Sequence, residues 1–376
     1  MPREEFAVKL LDQEIPFPTR RPRPTHSWAP PAGVRIISSD DHNAEVDNLY
    51  QDRLPARFKD RAPVYYRKGN EMVFQAEGRD LIPKGLDHEL LAGLPGHSDL
   101  DQKLVDLDAE NISACVVFHG SFQALNSLQD RELYWACVDV YNEWLAEYLK
   151  PYGDRMVGVA ILPAFERPEA AHDYMQKLKD LGFRAVQMPH SPKGVRWNSK
   201  EMFPLWKAIE ASGMPLSFHA GAYPVFFGNG SVGANIGANL CPYRNLFSAL
   251  VFSGALDNHP ELKVVFHEGG ATWAAQAMTD MDYVVATYSS QLKPKLSARP
   301  SEIWRRQCHA SFMVDPCALR LVDFLGEDNL MWCSDYPHAE GTWGFTGEVL
   351  KEAYETLGPV AGAKFIGGNA ARLWKM

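Results

Sequence analysis

Short apolar runs alternate with longer amphipathic ones from Val34 onward. The short runs, at 35–39, 114–118, 157–162, 185–188, 215–219, 263–267, 311–314 and 330–334, have the length and β-branched content of buried strands. Between them, stretches such as 130–149, 167–181 and 203–211 repeat apolar residues at helical spacing. Eight strands alternating with helices predict an α/β fold, a (β/α)8 TIM barrel. A doubly wound open sheet would favour a phosphate-binding glycine loop after its first strand. SSDDHNAE stands there instead.

Three stretches fall outside this rhythm. Residues 1–33 are a Pro-rich arm (PFPTRRPRP, then SWAPPAG), and proline at this density blocks helices and sheet ladders. An extended arm along the domain or a neighbouring subunit is expected. Residues 34–376 form the barrel domain, with 43–104 as a long excursion after strand 1. Within it, VYYRKGNEMVFQAEG predicts a β-hairpin about Lys-Gly-Asn. An insertion there hangs over the C-terminal rim as a lid or substrate wall. A second insertion, 223–239, is rich in Gly, Asn and Phe and borders the same mouth.

The 376 residues are 46% apolar, enough to fill one large barrel. A net charge of −9 argues against a nucleic-acid surface. No apolar run reaches the roughly 18 residues of a membrane span, and the acidic N-terminus has no apolar core of a secretory signal. None of the six cysteines stands in a CxxC pair. Reduced thiols of a cytoplasmic protein are expected, and no cysteine-based zinc site.

Chemistry gathers at the strand ends. Asp40 and His42 close the first strand, two residues apart, so both face one way while Asp41 faces the other. His219 ends SFHAGA, His267 ends VFHEGG, and Asp335 follows LMWCS. Singly, each histidine reads as well as a hydrogen-bonded core residue, and Asp335 in DYPH suits a turn. Their coincidence decides, because a barrel brings these strand ends to one rim. Imidazoles together with carboxylates suit a divalent Zn²⁺ or Mn²⁺ ion with an open coordination position. Such an ion lowers the pKa of water or polarises a carbonyl. His338, close to Asp335, is a further pocket candidate, with His119 and His190 after strands 2 and 4. Tyr223, Phe226 and Trp343 are candidate substrate contacts.

At this point the chain resembles the amidohydrolase-related proteins of the aminocarboxymuconate-semialdehyde decarboxylase-like branch. The resemblance runs from Ile36 to Trp374 through SSDDHNAE, RLPARFKDRAP, LVDLDAENISACVVF, GFRAVQMP, PLSFHAG, HPELKVVFHEGGATW, DFLGEDNLMWCSDYPH and GGNAARLW. It implies a metal-dependent (β/α)8 enzyme with one divalent ion, zinc first and manganese as the alternative. Asp40 and His42 match the strand-1 ligand pair, His219 the strand-5 ligand and Asp335 the strand-8 carboxylate. His267 matches a substrate-orienting histidine, and Glu268 an acidic position. Asp40 departs from the longer residue usual at its position. Strand 4, FRAVQMP, lacks the lysine that bridges two metals in binuclear relatives.

The expected function is hydrolysis of a small aromatic or cyclic carboxylated substrate. Asp335 would act as general base, and His267 with Glu268 would hold the developing oxyanion. The alternative is non-oxidative decarboxylation of an aromatic or unsaturated acid by the same metal shell. A non-catalytic degenerate barrel stands further off. The arm and the resemblance point to a homodimer.

Overall fold

The computed structural model describes residues 7–10, 13–16, 28–46, 48–68, 71–80, 95–120, 122–221, 226–239, 242–338 and 340–376. Eight parallel strands form the barrel wall. They are β1 (Ile36–Asn43), β2 (Ile112–His119), β3 (Met156–Gly158 and, past Val159, Ala160–Ile161), β4 (Val186–Pro189), β5 (Leu216–His219), β6 (Val264–His267), β7 (Cys308–Phe312) and β8 (Leu330–Trp332). The expected strand 157–162 is broken because it changes partner. Its first half pairs with β2 and its second with β4. The seventh strand begins three residues before the expected 311, and Asp315 then caps the next helix by accepting from the Ala318 N–H.

Register sets the height of the site. In β5 and β6, His219 lies opposite His267, and His219 also lies opposite Pro189 of β4. Among the described residues no ladder joins β8 to β1. Other bonds cross this seam. The Ser39 hydroxyl donates to the Trp332 carbonyl at 2.7 Å, and the Ser334 N–H donates to Ser38 Oγ at 2.8 Å. The Asp335 N–H reaches the Asp40 carbonyl at 2.9 Å, and the His42 N–H reaches that of Tyr336 at 2.8 Å.

Parallel strands covered on both faces read as continuous apolar runs, and alternate residues here fill two separate cores. Ile37, Val116, Phe118, Val157, Val265 and Met331 pack inside the barrel. Ile36, Cys115, Val117, Val186 and Val264 pack outward against the helices. The helix Asn369–Trp374 closes the lower end. Trp374 is fully buried among the inward residues, and its ring lies 6.1 Å from that of His267. The five described cysteines are free thiols, four of them buried.

The hairpin of the first insertion pairs Val64–Lys68 with Glu71–Ala76, and Arg79–Asp80 adds a third strand. In the arm, where only an extended segment was expected, Ala7–Leu10 pairs antiparallel with Gln13–Pro16. Near the arm's end the Trp28 ring packs 5.6 Å from Tyr354. No described helix is long and apolar enough to cross a membrane.

Candidate metal centre

Seven ionisable side chains meet at the C-terminal rim. β1 supplies Asp40 and His42, β5 His219, β6 His267 with Glu268 just beyond it, and the loop after β8 supplies Asp335 and His338. His42 Nε2 lies 3.2 Å from Asp335 Oδ1 and 3.6 Å from Asp40 Oδ1. His219 Nε2 and His267 Nδ1 approach Asp40 Oδ2 at 3.2 and 3.3 Å. His338 Nδ1 is 2.9 Å from Asp335 Oδ1 and 3.5 Å from Glu268 Oε1, and its ring stacks on His42 at 4.1 Å.

Most of these approaches lack hydrogen-bond geometry. Both Asp40 oxygens, both His42 nitrogens, His219 Nε2, Glu268 Oε1 and Asp335 Oδ2 are buried without a hydrogen-bond partner. Buried polar atoms are ordinarily paired, so the donor set itself points to a cation. Asp40, His42 and His219 offer donor atoms within 4.8 Å of one another, as do His42, Glu268, Asp335 and His338. Imidazole nitrogens and carboxylate oxygens fit a borderline divalent ion. The remaining ring nitrogens of two site histidines are held in place. His219 Nδ1 lies 2.8 Å from the Ala220 carbonyl, and His267 Nε2 lies 3.1 Å from Ser217 Oγ. Such contacts orient a ligating imidazole.

Glu268 and Asp335 both adopt left-handed backbone conformations, with φ of 57° and 56°. This costs a non-glycine residue about 1–2 kcal/mol, and such strain clusters at functional sites.

Charge in the cluster is interlocked. Burial, helped by His338, pushes His42 down to about 3, leaving a neutral ring with a lone pair to donate. Burial opposes the His219 imidazolium, but Glu268 and Asp40 raise it to about 10. Burial likewise works against the Asp40 anion, yet His219 and His267 hold it below the usual carboxylate range. Burial and then Glu268 push Asp335 well above its ordinary value. Burial also disfavours the Glu268 anion, but His219, His338 and His42 keep it ionised. A divalent ion would replace the His219 proton as the neutralising charge.

The amidohydrolase family profile matches residues 88–376. The chain belongs to this family. It is 23% identical to the 2-amino-3-carboxymuconate-6-semialdehyde decarboxylase of Dictyostelium discoideum over 281 residues, 70% of this chain and 72% of that one. Its fold matches 5-carboxyvanillate decarboxylase from Sphingomonas paucimobilis with a TM-score of 0.70 at 20% identity, covering 92% of this chain and all of the other. The 5-carboxyvanillate decarboxylase of Novosphingobium aromaticivorans, a point mutant solved with manganese and 3-methoxy-4-hydroxy-5-nitrobenzoic acid, matches with a TM-score of 0.71 at 16% identity. That match covers 93% of this chain and 99% of the other. Family membership makes the chain a metal-dependent enzyme.

Other expected residues of the amidohydrolase fall in different places. The Trp343 ring is 4% exposed and packs edge-on against Tyr336, supporting the β8 loop. Tyr223 lies outside the described residues. Phe226 is 48% exposed, with its main chain held by Asn235. His119 faces Glu45 at 2.9 Å, and its ring lies tilted against Tyr141 at 4.1 Å. His190 is tied to the Gly221 carbonyl at 3.0 Å. It lines a cavity of about 670 Å³ with Arg131, Glu166 and Lys193.

Asp41 turns away from the site, as the two-residue alternation predicts. It accepts from the hydroxyls of Ser38 and Ser334, both at 2.7 Å, and lies 3.7 Å from the fully buried Lys103. Lys103 carried no signal in the sequence, because a lysine in the polar run DQKLVDLD looks like any surface lysine.

Proposed function

We propose that this protein removes CO₂, without oxidation, from a small aromatic or unsaturated carboxylic acid. Asp40, His42, His219 and Asp335 would hold one divalent ion. The observation that carries the reading is Asp335, a fully buried rim carboxyl whose Oδ2 has no hydrogen-bond partner and whose Oδ1 lies 2.9 Å from Nδ1 of the partly exposed His338. Its similarity to the Dictyostelium and Sphingomonas decarboxylases lends support.

A divalent ion held by these residues would supply Lewis-acid chemistry to the substrate. As the bond from carbon to CO₂ breaks, its electron pair stays on the carbon. A proton brought to Asp335 by His338 would pass to that carbon as CO₂ leaves. His338, in contact with Asp335 and with a side chain 29% exposed, returns a proton from solvent. His267 orients Asp40 from below, and Glu268 keeps His219 and His338 in place. Described parts of the insertions, 48–68, 71–80 and 226–239, would wall the substrate. Zinc and manganese both suit the donors, and manganese accompanies the Novosphingobium enzyme. The protein acts as a cytoplasmic homodimer that binds neither nucleic acid nor membrane.

Hydrolysis is the second reading, in which Asp335, ionised beside the metal, would take a proton from water and pass it to the leaving group. Product analysis separates the two. Carboxyl-¹³C-labelled aromatic acids in D₂O should release ¹³CO₂ and gain one deuterium at the vacated carbon. Incorporation of ¹⁸O from labelled water, without CO₂ release, would establish hydrolysis instead.

A further inference from the structure

We propose that Lys103 is a positioning residue that sets the spacing between the two halves of the metal centre. The inference rests on the metal-centre reading above. The β8–β1 seam carries ligands on both banks, Asp40 and His42 on one and Asp335 on the other, and in place of a described ladder only isolated bonds cross it, among them Asp335 N–H to the Asp40 carbonyl and His42 N–H to the Tyr336 carbonyl. Lys103 bridges both banks from the helix Leu100–Ala109. Its fully buried Nζ donates to the His42 carbonyl at 3.0 Å and lies 3.7 Å from Asp41 Oδ2. The same Nζ sits 4.8 Å from the centroid of the Tyr336 ring, the residue after Asp335. Asp41 in turn binds Ser38 on one bank and Ser334 on the other.

The helix has a second hold on the β8 loop. The Tyr336 hydroxyl donates to Asp106 Oδ2 at 2.6 Å, three residues along from Lys103. Gly96 permits the approach. A Cβ there would lie 2.5 Å from the Tyr336 hydroxyl, 2.9 Å from Lys103 Cα and 3.0 Å from Asp106 Oδ2. A buried ion pair is a weak source of stability compared with a well-packed apolar pair. A cation held at this one point, touching the segments that carry three ligands, serves geometry instead.

The test is Mn²⁺ affinity by chelator competition, with melting of the metal-free protein in parallel. The variants are Lys103→Met, Gly96→Ala and the double Lys103→Met/Asp41→Asn, which leaves no unpaired buried carboxylate. His219→Ala is the control. The Lys103 variants should bind Mn²⁺ about 10–100-fold more weakly, the usual loss for a residue behind the ligands. Gly96→Ala should also weaken binding, and the Mn²⁺ electron paramagnetic resonance spectrum should change. If wild type binds no Mn²⁺, or His219→Ala binds it equally well, the metal-centre reading fails and takes this inference with it. If that control behaves but the double variant keeps wild-type affinity and spectrum, only the positioning role is overturned. A double variant that does not fold overturns it too, since Lys103 would then hold the fold and not the ligand spacing.

Discussion

Metal binding should raise the melting temperature of this protein with the logarithm of metal concentration. Without metal, buried atoms of Asp40, His42, His219 and Asp335 have no hydrogen-bond partner, and the unfolded chain does not bring them together. A ligand that binds only the folded chain stabilises it by about 2.7 kcal/mol at 100 times its Kd, with roughly 1.4 kcal/mol more per further tenfold. An unfolding entropy of about 2.1 cal/mol/K per residue, over 376 residues, amounts to about 0.8 kcal/mol/K. The expected rise is therefore about 3 °C at 100-fold excess and about 2 °C per further decade. Scanning calorimetry in chelator-buffered Mn²⁺ or Zn²⁺ measures it, with His219→Ala run alongside. An equal rise in that variant would place the ion elsewhere. A flat wild-type curve, with one equivalent of metal found by elemental analysis, would refute the argument from the unpartnered donors.

Three other outcomes are expected. Asp335→Asn should lower kcat by about 10²–10⁴-fold, the usual worth of a positioned proton donor, and initial rates on the substrate found by product analysis test this. Burial raises the Glu110 carboxyl to about 7, while it accepts from the Gly344 N–H and the Thr346 hydroxyl. Its folded pKa exceeds its ordinary value, so its contribution to stability is complete below about 4.5 and lost as pH rises through 7, about 3 kcal/mol in all. Glu110→Gln should flatten urea-denaturation stability across that window. Trp374→Ala should cost about 3–5 kcal/mol through the cavity left inside the barrel, read from the urea midpoint.

The parts of the site that strand periodicity reaches were legible in the sequence. Asp40 and His42 share a face by spacing, and His219 and His267 stand out because each ends an apolar run. Position along the chain also brought out Asp335, although its left-handed backbone is a property of the folded loop. What periodicity does not encode stayed hidden. The break at Val159 arises because the strand changes neighbours. The seam between β8 and β1 is closed partly by serine hydroxyls, and serines within an apolar run give no sign of such work. Lys103 acts across 61 residues on His42, a contact created by the helix docking under the β8 loop. Trp343, aromatic and near the mouth, looked like a substrate contact, but packing against Tyr336 claimed it.

The Trp374 plug has a consequence for biosynthesis. The side chain that fills the barrel's lower end is translated after all eight strands, and β1 waits for β8 across nearly the whole length of the chain. A nascent chain that has emerged only as far as Trp332 can pair β1 with β2 and stack its early helices, yet its interior stays open to water. The barrel interior therefore closes as one cooperative unit only once Trp374 is available, and until then its inner strands are open to aggregation.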